Sequence, residues 1–271
     1  MHVSPLNGPE EEQILERLKI GLRNEAVRPF FQPELDFSRS DWMGFEALSR
    51  WIDPQLGEVS PAVFIPLAEK HQLLAELTRC QIMALQQAAP HLCRRYRSVS
   101  LAFNLSPRLI GHPDVWDALT QTRKATAELP LIWEVEITES EPIADFDQAE
   151  AALSLLRQQG IKVVLDDFGT GWSNLVRVAL LGVHRIKVDS VFVRHLERPG
   201  AQAVLQGLFQ LAQDMKLEIT IEGVETPHQE AVLRQMGFKR FQGWLYARAL
   251  PLGDLLTREL DLIQKRLNTS N

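Results

Sequence analysis

Four short stretches of the chain alternate between apolar and polar residues. In Ser100-Leu101-Ala102-Phe103-Asn104-Leu105 the odd positions are mostly bulky and apolar, and the even ones are small or polar. Trp133, Val135 and Ile137 oppose Glu134, Glu136 and Thr138 in the same way, and Leu217, Ile219 and Ile221 oppose Glu218, Thr220 and Glu222. Ile186 and Val188 stand against Lys187 and Asp189. A period of two belongs to β-strands, so each run predicts one face against apolar neighbours and one face toward a polar space. Ile161 to Asp166 is an aliphatic, glycine-bounded run and reads as a buried strand with its chemistry at the C-terminal tip; Arg240 to Gly243 is a further short strand. Phe30 to Phe37 and Trp42 to Trp51 are β-rich, and the four residues between them are few enough for an antiparallel hairpin.

Helical patterns separate these runs. Gly8-Pro9-Glu10-Glu11-Glu12 opens a helix after Asn7, with proline early, acids in the first turn, and Ile14, Leu15, Leu18 and Leu22 on one face. Pro61 to Lys70 and Thr78 to His91 are the next helices, and helical runs follow between the later strands. Any one alternating run could be an antiparallel strand with a solvated face, but interposed helices favour parallel pairing. Repeated strand-helix units imply a parallel sheet covered on its outside, and eight strands close a barrel.

At 271 residues with 45% hydrophobic composition, the chain suits one barrel domain plus a terminal extension. A formal charge of −6 argues against gripping long nucleic acid or an anionic membrane through a general basic surface. A small anionic ligand held by local charges is compatible with it. Cys80 and Cys93 have neither zinc nor disulfide-framework spacing and are expected to be core thiols in a reducing compartment. With no signal-like start and no apolar run near the ~20 residues of a membrane span, the expected location is cytoplasmic.

The last polar residues of the strands are Glu46, Asn104, Glu136, Asp166 with Asp167, Lys187 with Asp189, Glu222 and Gln242. In a barrel these tips converge on one mouth, where six carboxylates would face one lysine. A net charge of about −5 in a partly dry cleft could destabilise by more than the roughly 5–15 kcal/mol a domain has available. Two divalent cations would nearly neutralise it, and an all-oxygen donor set points to magnesium or manganese rather than zinc. Paired metals suit in-line hydrolysis of a phosphodiester, with a further carboxylate to take the proton of water. Taken singly, Glu46 could be a solvated rim residue, Asn104 a cap of the Ser106-Pro107 turn, and Lys187 with Asp189 a structural ion pair. Glu134, Lys162, Arg185 and Glu218 lie deeper on the same parity and are expected to pair with one another. Asp167-Phe168-Gly169 lacks the catalytic loop of a kinase, and Gly169-Thr170-Gly171 is not a complete dinucleotide-binding turn.

The ordered set Glu46-Ala47-Leu48, Asn104-Leu105-Ser106, Glu136-Ile137-Thr138-Glu139, Asp166-Asp167-Phe168-Gly169-Thr170-Gly171, Lys187-Val188-Asp189, Glu222-Gly223-Val224-Glu225-Thr226 and Gln242-Gly243 closely resembles the EAL-domain phosphodiesterases of bacterial cyclic di-GMP signalling. The likeness runs from about residue 25 to 255. It implies an α/β fold, a modified TIM (β/α)8 barrel with one antiparallel strand, over residues 26–271, preceded by a helical extension over 1–25. It implies hydrolysis of cyclic di-GMP to linear pGpG with two magnesium or manganese ions, calcium being inhibitory, in a homodimer. Glu46, Asn104, Glu136, Asp166 and Asp189 would hold metal, with Asp167 on the second ion. Glu222 would be the general base, and Lys187 would orient water or steady the phosphate charge. Gln32, Arg50 and Gln242 would contact substrate, the fork of Arg50 suiting phosphate. The segment Phe168 to Leu175 would link metal binding to dimerisation, anchored by Glu139, with Glu225 in the same role.

Ile221, Trp172, Trp244, Ser190 and Ala249 depart from the family's usual residues. None removes a metal ligand; Ile221 and Trp244 are expected to bear on the guanine pocket. Because the acids are intact, an active phosphodiesterase is the leading expectation. A cyclic di-GMP receptor with little turnover and a protein-interaction module are the alternatives.

Overall fold

A computed structural model describes residues 8–39, 42–138, 143, 145–169 and 174–257. The alternating runs are strands: β1 Val27–Asp36, β2 Trp42–Asp53, β3 Gly57–Val59, β4 Ser98–Leu105, β5 Leu131–Ile137, β6 Lys162–Phe168, β7 Arg185–Val188, β8 Glu218–Ile221 and β9 Arg240–Gln242. Eight of them close in the order β1-β9-β8-β7-β6-β5-β4-β2, with β1 pairing back onto β2. Only β1 runs antiparallel to both barrel neighbours, because residues 37–41 are too few for a parallel crossover. The ninth strand, β3, pairs on the continuation of β2 outside the barrel. At three residues it is too short to carry a readable period.

Helices cover the outside: α1 Gly8–Arg23, α2 Pro61–Lys70, α3 Leu74–Arg95, α4 Pro113–Ala125, α5 Phe146–Gln158, α6 Asn174–Leu180, α7 Ser190–Arg194, α8 Pro199–Asp214, α9 Pro227–Gln235 and α10 Leu252–Thr257. The main core lies between barrel and helices and holds the apolar face of every alternating run, among them Leu101, Phe103, Trp133, Val135, Ile186 and Ile221. A second, smaller core joins α1 to the barrel. In it Leu18 and Leu22 meet Val27, Trp51, Val59, Phe64, Ala68 and Leu77. A salt bridge from Arg17 to the buried Asp53 at 2.8 Å pins the helix to the end of β2. Both cysteines lie on α3, and Cys93 packs against the main core, but each is only partly buried rather than fully in the core, with the thiol pKa values pushed up by burial.

The floor of the barrel is an ion network, buried at Arg185, Glu34 and Glu134 and open to solvent at Glu218. Arg185, fully buried, pairs with Glu34 and Glu134; Arg240 Nε lies 2.6 Å from Glu34, and Arg240 also pairs with Glu218. Lys162 Nζ reaches Glu218 at 2.6 Å, and Thr220 Oγ1 donates to Glu34 at 2.5 Å. The parity expectation holds for Arg185 with Glu134 and Lys162 with Glu218. The fourfold set is completed by Glu34 and Arg240, which come from the antiparallel strand and the last strand.

Candidate active site

At the opposite end the inward positions carry the acids. Lys187 Nζ, fully buried near the tip of β7, lies 2.8 Å from Glu222, 3.0 Å from Glu46, 3.0 Å from Glu136 and 3.2 Å from Asp166. Glu46 also accepts from Asn104 Nδ2 at 3.0 Å and Gln242 Nε2 at 2.6 Å. Seven of the residues read from the strand tips are therefore in one connected cluster, drawn from six strands and the loop after β8.

Two adjacent acids on an ordinary strand would point to opposite faces. Between Leu165 and Phe168 the β6–β7 register shifts: Leu165 pairs with Ile186, and Phe168 with Val188. The extra residue is taken up by Asp167, whose φ of +55° is rare for a side-chain-bearing residue. This bulge keeps Asp167 near its neighbours. One oxygen each of Asp166, Asp167 and Glu222 lie within 4.8 Å of one another, and the same is true of Glu46, Glu136 and Asp166.

Glu222 is held by an interlock of two loops. Gly223 has φ +69° and a Cβ there would stand 2.3 Å from the Cβ of Ser190, while one on Gly243 would stand 2.1 Å from the Val224 carbonyl oxygen. The close approach allows Val224 N to donate to Gln242 O at 3.1 Å and Leu245 N to Val224 O at 3.0 Å. Glu222 and Gln242 are thereby fixed to each other as well as to the barrel.

The charges in this mouth do not balance. Burial pushes the Glu136 and Glu222 carboxyls well above the usual range, opposed by Lys187 and reinforced by neighbouring acids. Burial likewise raises Asp166, and burial with Asp166 and Asp189 nearby raises Asp167 to about 6. Glu46 is lowered, because Lys187, Gln242 and Asn104 together outweigh the effect of its burial. Lys187 is held firmly protonated: burial disfavours its charge, but four carboxylates more than offset that. Even so, Glu136 Oε1 is buried without a hydrogen bond, and Asp166 Oδ1 has only the Lys187 ammonium near it, at 3.2 Å. A buried carboxylate oxygen with no donor, in a group of acids whose oxygens lie within reach of one another, fits a hard divalent cation. The acids can hold such an ion.

Other residues read from the sequence lie further out. Asp189 caps α7, its Oδ1 accepting from Val191 N at 2.7 Å. Gln32 is directly opposite Glu46 across β1 and β2, and its Nε2 donates to Ala247 O at 3.4 Å. Arg50 Nη1 donates to the Ser49 carbonyl at 3.0 Å, and Arg50 lines a cavity of about 260 Å³ that reaches Asn104 and Thr138. Glu225 is exposed, and its backbone N–H donates to Gln229 Oε1 at 2.9 Å. Glu139 and Trp172, with most of the glycine segment after Gly169, lie outside the described residues. Trp244 is exposed with Arg248 stacked 3.7 Å from its ring centre. Ile221 does not face the mouth: it is buried in the main core behind β8, so its bulk does not shape a ligand pocket.

Gln81 was not singled out by the sequence pattern. It is a buried polar residue on the apolar stripe of α3, and its Nε2 donates to Ala47 O at 2.8 Å, where the β2–β4 ladder ends. A polar position amid Leu77, Ile82 and Leu85 is the signal that marks it. It secures the strand beside Glu46.

The EAL domain family profile matches residues 15–249. Among curated relatives, the cyclic di-GMP phosphodiesterase PdeR of Escherichia coli (strain K12) is 31% identical over 235 residues, 86% of this chain and 35% of PdeR. The bifunctional diguanylate cyclase/cyclic di-GMP phosphodiesterase MucR of Pseudomonas aeruginosa is 30% identical over 252 residues, 92% of this chain and 37% of MucR. The chain thus spans about a third of the length of these relatives. Among solved structures, the PaMucR phosphodiesterase in complex with c-di-GMP superposes with a TM-score of 0.76 at 30% identity, covering 90% of this chain and 99% of that one. The cAMP-bound EAL enzyme Bd1971 gives a TM-score of 0.78 at 27% identity, covering 92% of this chain and 70% of that one.

Proposed function

This chain belongs to the EAL-domain family, and on that premise we propose that it is a phosphodiesterase that hydrolyses cyclic di-GMP to linear pGpG. The observation that carries the reading is the convergence of Glu46, Glu136, Asp166 and Glu222 on one lysine, with the buried Glu136 Oε1 left without a donor. Glu46, Asn104, Glu136, Asp166 and Asp189 would hold magnesium or manganese, with Asp167 on the second ion. When bound, the ions supply a readily deprotonated water and neutralise charge on the phosphodiester. Glu222, whose carboxyl is pushed upward by burial and by its acidic neighbours, takes the proton of the attacking water. The water oxygen bonds to phosphorus, the P–O3′ bond breaks, and the leaving oxygen is protonated. Lys187 holds the carboxylates together and steadies the negative charge of the reacting phosphate. Gln32, Arg50 and Gln242 contact the nucleotide, and Glu139 and Glu225 anchor the glycine segment.

Leu175, Val176 and Leu180 of α6 are exposed beside that segment, which supports assembly as a homodimer through this face. No described helix is long and apolar enough to cross a membrane, in keeping with action in the cytoplasm. Incubation with cyclic di-GMP and magnesium or manganese, followed by chromatography, is expected to yield pGpG. Binding without product would reject the enzyme in favour of a receptor.

A further inference from the structure

Strands β1 and β2 pair in unbroken antiparallel register, and residues directly opposite each other share a face. The inward pairs, from floor to mouth, are Glu34 with Gly44, Gln32 with Glu46, Phe30 with Leu48, and Arg28 with Arg50. The first belongs to the floor network, the second to the acid cluster, and the third is apolar. The outermost sets the backbone of Arg28, an exposed residue, opposite that of the partly buried Arg50. Like charges directly opposite on a sheet are destabilising. Arg50 donates only to a backbone carbonyl, and neither arginine pairs with a carboxylate among the described residues. The two strands thus carry a pair of arginines opposite each other beyond the acidic mouth, neither in a salt bridge with a described carboxylate.

At about 3.4 Å per residue, this pair stands about 14 Å along the strand from the Gln32–Glu46 tier. It therefore faces the far end of a bound nucleotide rather than the bond being cut. A guanine edge offers acceptors without net charge and would account for one arginine, whereas a phosphodiester has two anionic oxygens and can take both forks. We infer that Arg28 is a substrate-contacting residue that, with Arg50, clamps the phosphodiester that is not cleaved. This rests on the reading of the chain as a cyclic dinucleotide hydrolase.

The test is steady-state kinetics of Arg28→Gln and Arg28→Lys at low and high salt. In Arg28→Gln, KM is expected to rise about tenfold, the scale of one lost charge-assisted contact, with kcat unchanged and a shallower salt dependence. Arg28→Lys should keep most of the affinity, and the ligand-free Arg28→Gln protein should melt no lower than wild type because a repulsion is removed. Unchanged KM and salt dependence would overturn the inference. That outcome would assign Arg28 to the separate cavity of about 670 Å³ that it borders between α1, β1, α3 and α10. A raised KM with unaltered salt dependence would mean a base contact and also overturn it. If wild type makes no pGpG, the enzymatic reading fails on its own; the clamp is then judged by calorimetry with inorganic pyrophosphate, and equal binding by wild type and Arg28→Gln would sink it.

Discussion

The two ends of the barrel solve opposite problems with the same residue types. At the floor, Arg185, Arg240 and Lys162 face Glu34, Glu134 and Glu218, so three cations meet three carboxylates and the formal sum is zero. At the mouth, among the described residues, Lys187 is the one cation paired with Glu46, Glu136, Asp166 and Glu222, with Asp167 and Asp189 alongside. The titrations follow. The two arginines and the Thr220 hydroxyl overcome the burial of Glu34 and hold its carboxyl down at about 2, whereas burial and acidic neighbours lift Asp167 to about 6. Burial alone does not decide whether a charged group stabilises; the local sum of charge does. A balanced layer closes the barrel, and an unbalanced one is poised to take up cations.

The largest effect should come from Glu222→Gln. Its turnover, read as pGpG by chromatography, is expected to fall on the order of 10²–10⁴-fold with the loss of a general base. The metal-free variant should at the same time unfold at a higher temperature than wild type, since one surplus anion is gone. Arg185→Leu should do the reverse, lowering stability in urea by about 3–5 kcal/mol, because it strands buried carboxylates, while the folded fraction keeps its turnover. A milder probe is the ion itself: magnesium at a hundredfold excess over its Kd should stabilise wild type by about 2.7 kcal/mol. That gain should persist in a mild floor variant such as Lys162→Met and largely disappear in Glu46→Ala.

The smallest effect is on the pH profile. At the floor, the folded pKa of Glu34 is depressed, so its contribution is present above the ordinary carboxylate pKa and is lost as pH falls from 4.5 toward 2. At the mouth, Asp167 is raised, so metal-free protein is favoured below 3.8 and loses stability as pH rises through about 6. Melting temperatures of stripped protein should therefore decline from pH 4 to 7, and magnesium should flatten that decline. An equal slope with and without magnesium would contradict the assignment of surplus charge to the mouth.

Much of this contrast was legible in the alternating runs, because burial on one side and a polar lumen on the other leave a period of two in each strand. Lys187 and Glu222 announced themselves as polar residues at strand tips, and the antiparallel start followed from the shortness of the first connection. Two features left no such mark. The bulge at Asp167 depends on a register between β6 and β7 that no single strand records. The floor partners Glu34 and Arg185 are 151 residues apart, on strands that are not neighbours in the sheet. Ile221 departs from the family's usual residue at this position, yet its odd position sends it into the outer core, where the period already placed it.

Leu77 belongs to the small core beneath α1 and also lines the cavity that holds Arg50. The helix over residues 8–23 is therefore less an appendage than a keel for the wall of that cavity. A truncation beginning at Ala26 would bare the flanks of Trp51 and Phe64 and strip the buried Asp53 of its arginine. Cutting the chain at that boundary would loosen the pocket from its outer side without touching a single group inside it.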